Sequence, residues 1–473
     1  MKKNAKTDGN VSTTKIAFWY VVSNFLTVAI GNLTTPIFAR MMSTSDYGKF
    51  SNFLTWQNLI LIIFSLSLVT TIGKAKYDYA ENIEEYLSTM ILFGNIVGIV
   101  LWVVIELNSE WVIEIFNMDM KYIRIMLLDL LFLPAFSLLQ AFFRIYNKYK
   151  FFVFFSLSSA IIRTTVSIIL IMVMEDKFVA RIIGYVTPNI IMNFALWCYI
   201  IYKGRKFKWK YCTYALPFAL PMVINSIAGN ILVSSDRIMI TEYCGATDTA
   251  MYTMAYSCST IASVLWTALN QAWTPWLFDR LYYNERSIVH KRTKIFVSLY
   301  FALILGFMLI LPEILWFFGG DKYMVVQNIV PIIFSSVYCQ FVYSLYVNVE
   351  TYMKKTHYSM IGTIMAAGIN VILNFIVIPV WGYKAAAYTT FIAYLLLAVF
   401  HAIIIQLTKE YKNLYDDKFN FGLIIILIFY MGVCHVLYNL VIVRSIFIMI
   451  YFIIMLVALF MFQRQKNIYK KGK

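Results

Sequence analysis

Charged side chains inside long apolar runs are the residues of this sequence best suited to chemistry. Arg163 stands in the middle of "FFVFFSLSSAIIRTTVSIILIMVM", and Asp129 is central in "IRIMLLDLLFLPAF". A charge at mid-membrane costs at least ~3 kcal/mol, so it needs a polar cavity, an opposite charge or a route to the interface. Arg163 lies about 18 Å from either end of its run, too far to reach water fully. We predict that Arg163 lines a polar cavity, with a buried ion pair to Asp129 as the alternative.

Four further cations stand at the ends of apolar runs and suit an anionic ligand. Arg40 and Arg237 occupy matching places in the two halves of the chain, as do Arg181 and Lys384. A planar guanidinium fork donates two parallel hydrogen bonds to phosphate oxygens, so Arg40 and Arg237 could together receive a pyrophosphate. The alternative for Arg237 is that its side chain extends toward the lipid headgroups. Arg181 and Lys384 are explained more simply as anchors at the membrane interface than as ligands of a substrate.

Two aspartates within or near the spans are candidates for ion coupling. Burial favours the neutral form of a carboxyl group, so an Asp129 that is not locked to Arg163 could carry a coupling proton. Asp236 precedes Arg237 directly, and neighbouring residues on a helix do not face each other, so these two must have different partners. A helix-end position explains Asp236 without any coupling role. We expect H⁺ or Na⁺ as the coupling ion and no other cofactor.

Amides and tryptophans near the end of the eighth apolar run suit contact with a sugar. The stretch "NQAWTPWLFDR" offers Asn270, Gln271, Trp273 and Trp276. Amides hydrogen-bond hydroxyl groups and tryptophan rings stack on sugar faces, although an aromatic belt at the membrane interface explains the tryptophans with fewer assumptions. No cysteine or histidine has the spacing of a metal site, and the four histidines form no catalytic constellation. We predict neither a metal nor an enzyme.

The elements that must position these residues are membrane spans. Of the 473 residues, 61% are hydrophobic and 14% charged, whereas about a quarter of the residues of soluble domains are charged. The net charge of +16 forms no basic face outside the apolar runs, which argues against nucleic-acid binding. Because about 20 apolar residues cross a bilayer, we predict an all-α polytopic membrane protein with about fourteen transmembrane helices. The predicted spans are 16–39, 52–72, 86–106, 123–143, 151–174, 179–202, 213–235, 251–272, 294–318, 324–349, 357–380, 384–407, 421–440 and 445–463.

The distribution of lysine and arginine predicts the orientation of these spans. Cytoplasmic loops carry an excess of both residues. With the N-terminus inside, 29 of the 40 Lys and Arg residues fall in inner segments, among them "KGRKFKWK". We therefore predict a multi-pass protein of the bacterial cytoplasmic membrane with both termini in the cytoplasm.

An internal repeat relates the two halves of the chain. Residues 43–53, "STSDYGKFSNF", follow the first span and align without gaps with residues 245–255, "GATDTAMYTMA", after the seventh. Gly48 then matches Ala250. A second correspondence links "ARIIGYVTPNI" with "GYKAAAYTTFI" at the start of the sixth and twelfth spans.

Together these matches predict two six-helix lobes, related by a pseudo-two-fold axis along the membrane normal, plus two C-terminal helices. Parallel duplication of this kind is a transporter architecture, with the substrate site between the lobes. The predicted parts are a cytoplasmic tail (1–15), an N-terminal lobe (16–203), a basic cytoplasmic linker (204–212), a C-terminal lobe (213–410), and the last two helices with a cytoplasmic tail (411–473).

The same residues resemble a known family. "SSDRIMITEYCGATDTAMYTMAY…LNQAWTPWLF" and "KKTHYSMIGTIMAAGINVILNFIVIPVWGYKAAAYTT" are similar to spans of bacterial polysaccharide-unit flippases, and "IFARMMSTSDYGKFS" is similar to their first loop. These flippases belong to the multidrug/oligosaccharidyl-lipid/polysaccharide exporter superfamily. The resemblance covers about residues 12–410.

The resemblance implies transfer of an undecaprenyl-pyrophosphate-linked oligosaccharide between leaflets by alternating access, with membrane lipids, a polysaccharide polymerase and glycosyltransferases as expected partners. An ion-coupled multidrug-type exporter is the alternative, but it would favour unpaired intramembrane carboxylates over arginines. A function as a lipid II flippase, a related class within the superfamily, is a further alternative. An integral-membrane polymerase or acyltransferase fits poorly, because no long outer loop or paired histidines occur.

Overall fold

The computed structural model describes residues 13–146 and 149–471, which are helical almost throughout. Residues 1–12 of the predicted cytoplasmic tail (1–15) lie outside the described residues, as do 147–148 and 472–473. The described part contains no strand. A bilayer offers no water to the backbone, and a helix satisfies its own amide and carbonyl groups. The predicted all-α polytopic membrane fold is confirmed.

The described residues form seventeen α-helices and three short 3₁₀ segments, the latter at Leu68–Thr71, Ala80–Asn82 and Asp321–Val326. The helices are α1 (Thr13–Met41), α2 (Thr44–Ser65), α3 (Ile72–Asp78), α4 (Ile83–Leu107), α5 (Ser109–Phe116), α6 (Met120–Ile145), α7 (Tyr149–Val173), α8 (Lys177–Gly204), α9 (Trp209–Cys244), α10 (Ala246–Tyr282), α11 (Arg286–Leu309), α12 (Leu311–Gly319), α13 (Val330–Tyr352), α14 (Thr356–Trp381), α15 (Lys384–Leu407), α16 (Asp417–Leu437) and α17 (Val441–Lys471).

Each predicted span overlaps one of the long helices. In the described part, ten helices are long and apolar enough to cross a membrane, or eleven if α2 and Leu68–Asp78, bent by 47°, form one span. The predicted span 294–318 is divided between α11 and α12. The predicted span 213–235 is too short, because α9 continues to Cys244. Charged residues ended the predicted run, but they do not end a helix whose backbone bonds are satisfied internally.

Several helices begin at capping residues. Ser43 precedes α2 and accepts a hydrogen bond from the amide of Asp46 at 3.0 Å, while its hydroxyl donates to the Asp46 carboxylate at 2.7 Å. Asp176 caps α8 by accepting from the amide of Val179. Asp416 caps α16 and pairs with Lys294 at 2.6 Å, and the hydrogen bond from Lys294 lowers the pKa of the Asp416 carboxyl. Such caps satisfy amides that a helix start leaves without partners.

The helices form two compact units. Unit 1 comprises the described residues of Met1–Thr253 and Thr363–Ala386. Within it, α7 packs along both α8 and α1, α6 and α4 pack on α8, and α2 packs on α9 and α6. Phe50, Phe53, Met126, Leu130 and Ile182 contribute to its apolar core. The lobe boundaries predicted from the repeat stay a prediction.

The two repeated loop motifs meet inside unit 1. The gapless alignment pairs Ser51 with Thr253, and their hydroxyl groups are 2.7 Å apart, within hydrogen-bond distance. Next to this contact, a Cβ atom at Gly48 would lie 1.7 Å from the carbonyl oxygen of Ala246 and 3.1 Å from the amide nitrogen of Ala250. Only glycine permits so close an approach of α2 to α10, and small residues serve this purpose in membrane helix packing. Aligned residues of the repeat therefore contact each other directly.

Unit 2 comprises Met254–Gly362 and the described residues of Ala387–Lys473. Its centre is α13, because 89% of the most apolar stretch of this helix is buried. Here α11 packs on α13, α16 and α17, and α13 packs on α16. The faces of α16 and α17 that carry exposed leucine, isoleucine and phenylalanine suit contact with lipid.

Candidate functional site

Asp129 on α6 is hydrogen-bonded by amide groups, and the charge of Arg163 acts on it from more than 4.0 Å away. Its carboxylate is fully buried, accepts a hydrogen bond from Gln57 on α2 at 2.7 Å, and accepts two from Asn189 on α8 at 2.8 and 2.9 Å. In the described residues no ion pair within 4.0 Å joins Asp129 to Arg163. The predicted alternative, a direct ion pair between Asp129 and Arg163, is therefore wrong for the described residues. The network stabilises the contact of three helices.

Three side chains form a row along one face of α8, from the partner of Asp129 toward the predicted outer end of the helix. Arg181, Tyr185 and Asn189 follow each other at intervals of four residues, which places them on one side of the helix. The guanidinium carbon of Arg163, on the neighbouring α7, lies 5.1 Å from the centre of the Tyr185 ring. The guanidinium carbon of Arg181 lies 3.4 Å from the ring centre of Phe38 and 4.6 Å from that of Phe50. Cations at these distances are attracted by the ring faces.

Arg163 and Arg181 are the two predicted site arginines that the structure brings into one neighbourhood. Each is half-buried, and the two charges act on each other. Among the described residues, Arg163 donates to the carbonyl of Ser159, one turn back on its own helix, and buried Nε of Arg181 has no hydrogen-bond partner there. Neither has a carboxylate oxygen within 4.0 Å in the part of the chain that the structure describes. The pair can therefore accept an anion without first breaking an ion pair.

Asp236 lies eight residues before the end of α9, and it is fully buried rather than at a helix end. Tyr252 donates its hydroxyl to one carboxylate oxygen, and Asn374 donates to the other at 2.6 Å. Asn370 extends the network, accepting from Asn374 at 3.2 Å. Arg237 is half-buried and donates to the carbonyl of Val233 on its own helix. The adjacent acid and base thus have different surroundings, as helix geometry predicts.

The other predicted cations lie near the ends of helices. Arg40 is exposed at the end of α1, and Lys384 is exposed at the start of α15. The charge of Lys384 acts on Asp248, at the start of α10. The roles of Lys384 as an interface anchor and of Arg40, together with Arg237, as a pyrophosphate receiver stay predictions.

The predicted sugar-contact residues occupy the second half of α10, in unit 2. Asn270 accepts a hydrogen bond from Asn348 on α13 at 2.7 Å, and Gln271 is exposed. The ring of Trp273 is buried and stacks on Phe296 with ring centres 4.5 Å apart. One face of this tryptophan is thus covered by protein, while the role of Asn270, Gln271, Trp273 and Trp276 in sugar contact stays a prediction.

A cavity of about 760 Å³ opens at the predicted outer end of unit 1. Its charged lining comprises six carboxylates, Asp46, Glu114, Asp119, Glu175, Asp176 and Glu242, and two lysines, Lys49 and Lys177. No group of three or more His, Cys, Asp or Glu side chains in the described residues is placed to hold a metal ion. Arg181 follows Lys177 by one turn of α8. The outer cavity is therefore acidic, whereas the next turn inward carries an arginine.

The sequence did not indicate Gln57, Tyr185 or Asn189 as site residues. The four-residue spacing of the latter two from Arg181 was available as a signal, since such residues share a helix face. Nothing local marks Gln57, which reaches Asp129 across 72 positions of the chain. Contacts of this range depend on helix packing, which the pattern of a single sequence does not give.

Long apolar helices with buried polar networks between them define a multi-pass membrane protein. The sequence matches the family described as polysaccharide biosynthesis protein over residues 13–281, more than half of the chain. The protein belongs to this family.

Similar proteins agree with this assignment. The Lsg locus protein 1 of Haemophilus influenzae is 22% identical over 331 residues, which are 64% of this chain and 77% of that protein. A membrane protein of the same organism is 22% identical over 360 residues, covering 71% and 83% of the two chains.

Solved structures share the fold. The lipid II flippase MurJ in an inward closed conformation has a TM-score of 0.65 at 15% identity, covering 91% of this chain and all of that one. An outward-facing multidrug resistance MATE family transporter of the MOP superfamily has a TM-score of 0.55 at 13% identity, covering 84% and 97%. The resemblance to the exporter superfamily drawn from the sequence is confirmed.

Proposed function

We propose that this protein transfers an undecaprenyl-pyrophosphate-linked oligosaccharide unit from the inner to the outer leaflet of the bacterial cytoplasmic membrane by alternating access. Membership of the polysaccharide biosynthesis family and a fold shared with flippases and exporters support the proposal. In this scheme glycosyltransferases assemble the lipid-linked unit on the inner face, and a polymerase joins the units outside. Both termini lie in the cytoplasm, and the product serves capsule, exopolysaccharide or another surface polysaccharide.

The observation that carries the substrate class is the neighbourhood of Arg163 and Arg181. Two guanidinium groups in apolar helices, each without a carboxylate within 4.0 Å in the described residues, leave positive charge that an anionic ligand can balance. A pyrophosphate offers several oxygens to such groups, and the guanidinium fork matches their geometry. Neutral or cationic substrates would gain nothing from this pair.

The acidic outer cavity would repel a pyrophosphate that approaches it from either side. A pyrophosphate bound near Arg181 that moved outward would approach the six carboxylates and two lysines of the cavity lining. Like charges at close range repel, and a low-dielectric wall strengthens the effect. The cavity therefore opposes passage of a pyrophosphate in either direction. Asp129 and Asp236 stay the predicted ion-coupling residues.

Reconstitution tests the proposal. Purified protein is placed in liposomes with a fluorescent undecaprenyl-pyrophosphate-linked oligosaccharide, and leaflet exchange is followed by chemical quenching of the outer fluorophore. A hydrogen bond to a charged group contributes about 1.5–3 kcal/mol. We therefore expect Arg163→Gln and Arg181→Gln each to slow exchange at low substrate about tenfold or more, and Arg163→Lys, which keeps the charge and loses the fork, to slow it less.

Arg124→Gln provides the matched control, because this exposed arginine is paired with Glu106 at 2.8 Å. It should leave exchange unchanged. Full exchange by an Arg163→Gln/Arg181→Gln protein would contradict the role of the two arginines. A wild-type protein that leaves the fluorescent lipid in its original leaflet would contradict the proposed function itself.

A further inference from the structure

An apolar groove of about 530 Å³ is lined by residues of α4, α6 and α8 in unit 1. Its lining includes Ile96 and Ile99 on α4 and Phe194 on α8, and all three side chains are exposed. Ligand pockets in proteins measure about 300–1,000 Å³, so the groove is large enough for a ligand. Because its walls belong to span helices, the molecules that reach it from outside the protein are lipids.

The polar side-chain atoms in the lining of the groove are already hydrogen-bonded. Asn95 on α4 donates to the carbonyl of Leu131 on α6 at 2.6 Å, and its side-chain oxygen accepts from Nε1 of Trp197 on α8 at 2.8 Å. The other lining residues that the structure describes are leucine, isoleucine and phenylalanine. A hydrocarbon chain can therefore fill the groove without breaking a hydrogen bond.

The basic linker between α8 and α9 forms one end of the groove. Phe207, which stands between Lys206 and Lys208 in the chain, belongs to the groove lining. Ser88 on α4 donates to the carbonyl of Lys206 at 2.8 Å, and the amide of Lys208 donates to the hydroxyl of Thr89 at 3.2 Å. These bonds fix the backbone of the linker on α4 on both sides of Phe207. The apolar groove thus ends at a basic segment.

The linker carries more positive charge than its ion pairs balance. Lys206 and Lys208 both pair with Glu85 on α4, and the distance from Lys206 is 3.0 Å. Arg205 is exposed and donates to the carbonyl of Tyr202 at 3.1 Å. In the described residues no carboxylate oxygen lies within 4.0 Å of Arg205. The surplus of positive charge suits an anionic group beside the linker.

The length and depth of the groove match one acyl chain. Along α4 the lining runs from Leu92 to Ile99, which is about 10 Å at 1.5 Å per residue and less than the ~15 Å of half a hydrocarbon core. Trp209 in the first turn of α9 is exposed and packs on Phe93 with ring centres 5.8 Å apart. Tryptophan beside lysine and arginine is typical of the headgroup level. An undecaprenyl chain is much longer than this groove.

We propose that the groove binds one acyl chain of an anionic phospholipid of the inner leaflet, while the phosphate of this lipid contacts Arg205 and Lys206. A phosphodiester carries one negative charge near pH 7, and guanidinium and ammonium groups donate charge-assisted hydrogen bonds to its oxygens. The bound lipid holds the linker against α4 and α8, and a lipid that binds only the folded protein stabilises it. The proposal does not rest on the proposed transport function.

Photocrosslinking of the full-length protein in detergent locates the lipid. The probe is phosphatidylglycerol with a diazirine in one acyl chain, and the labelled peptides are mapped by mass spectrometry after irradiation. We expect labels on residues 92–99 of α4 and on the linker. Each Lys or Arg near a membrane surface favours an anionic lipid about fivefold. Unlabelled phosphatidylglycerol should therefore compete at an about fivefold lower concentration than phosphatidylcholine with the same acyl chains.

A substitution inside the groove tests the site of the acyl chain. Ile96→Trp fills the groove and should lower the labelling there about tenfold or more, because the acyl chain then loses buried apolar surface. Ile161→Trp on α7 is the matched control and should keep the labelling, since Ile161 lies outside the groove lining. The two isoleucines are 51% and 53% exposed and lie at similar distances from the predicted inner ends of their helices.

A substitution in the linker tests the site of the phosphate. Arg205→Gln/Lys206→Gln changes two exposed side chains and leaves Lys208 paired with Glu85, so the fold should be kept. The preference for phosphatidylglycerol over phosphatidylcholine should fall about fivefold or more. Lys121→Gln/Arg124→Gln removes two exposed cations at the predicted outer end and should leave this preference unchanged.

Three outcomes would overturn the proposal. The first is labelling that avoids the groove, and the second is equal competition by phosphatidylcholine and phosphatidylglycerol. The third is competition by undecaprenyl phosphate at a lower concentration than phosphatidylglycerol, which would assign the groove to a polyprenyl lipid. Because the assay contains no transport step, a protein that exchanges no lipid-linked oligosaccharide in liposomes would contradict the flippase and leave this test unaffected.

Discussion

Because α2 and α10 are in close contact at Gly48, adding one methyl group at this position should lower the stability of the protein strongly. In Gly48→Ala the new Cβ would lie 1.7 Å from the carbonyl oxygen of Ala246 and 2.6 Å from its carbonyl carbon. Carbon and oxygen approach each other to about 3.3 Å at closest, so the two backbones must separate by about 1.6 Å. Both obstructing atoms are backbone, and rotation of a side chain cannot relieve the clash.

The expected loss of stability follows from this geometry. Overpacking costs about 1–3 kcal/mol where side chains can adjust, and more where they cannot. The higher helix propensity of alanine offsets about 1 kcal/mol of this cost. We expect Gly48→Ala to lose at least about 2 kcal/mol and to weaken the neighbouring hydrogen bond between Ser51 and Thr253. Transport should fall with it, because the contact joins the two repeated motifs.

Gly229→Ala is the matched control, because a Cβ at Gly229 on α9 would meet no atom of the described residues within 4 Å. This variant should be neutral or stabilised by about 0.4–1 kcal/mol. The assay is thermal unfolding of both purified proteins in the same detergent at one scan rate, since unfolding of such proteins is often irreversible. A Gly48→Ala protein that unfolds at the wild-type temperature would refute the close contact and the reasoning built on it.

Three further predictions concern orientation, the Asp129 network and the α10 tryptophan. A membrane-impermeant maleimide should label Glu114→Cys in intact cells and Lys412→Cys only after permeabilisation, because these exposed sites lie on opposite predicted sides; the reverse pattern would overturn the orientation. Asp129→Asn should lose about 1–3 kcal/mol in thermal unfolding, since amide donors then face an amide; wild-type stability would contradict the network. Trp273→Ala should lose about 3–5 kcal/mol, and Trp381→Ala, on an exposed ring, about 0.5 kcal/mol or less; equal losses would contradict the packing.

Local features of the chain predicted much of the fold. Runs of about 20 apolar residues mark the spans because the thickness of the bilayer sets their length. The start of α2 was missed, because the predicted span began at residue 52, whereas Ser43 caps the helix eight residues earlier by accepting from the amide of Asp46. The gapless match of residues 43–53 with 245–255 aligns Ser51 with Thr253, and only the structure shows that these two side chains are in contact.

The role of the predicted site stays a prediction, and the sequence missed the hydrogen-bond partners of its residues. The sequence marked Arg163 and Asp129 as costly charges, and both lie on helices of unit 1. It offered an ion pair between them, whereas Asp129 accepts hydrogen bonds from Gln57 and Asn189. The predicted spans 213–235 and 324–349 each ended just before a charged residue, so the prediction placed Glu350, a residue of α13, outside the helix bundle. Hydropathy sums the composition of a window and cannot register that a charge inside the window is paired.

The sequence by itself determined that this chain spans a membrane many times, where most helices lie, and to which family it belongs. Only the tertiary structure decided which polar groups meet, as with Glu350 and His401, 51 positions apart. The physical reason is that apolar length and capping act within one helix, where chain spacing fixes geometry. Pairing between helices depends on how each is rotated and packed against its neighbours, and many contacts act together to set that arrangement.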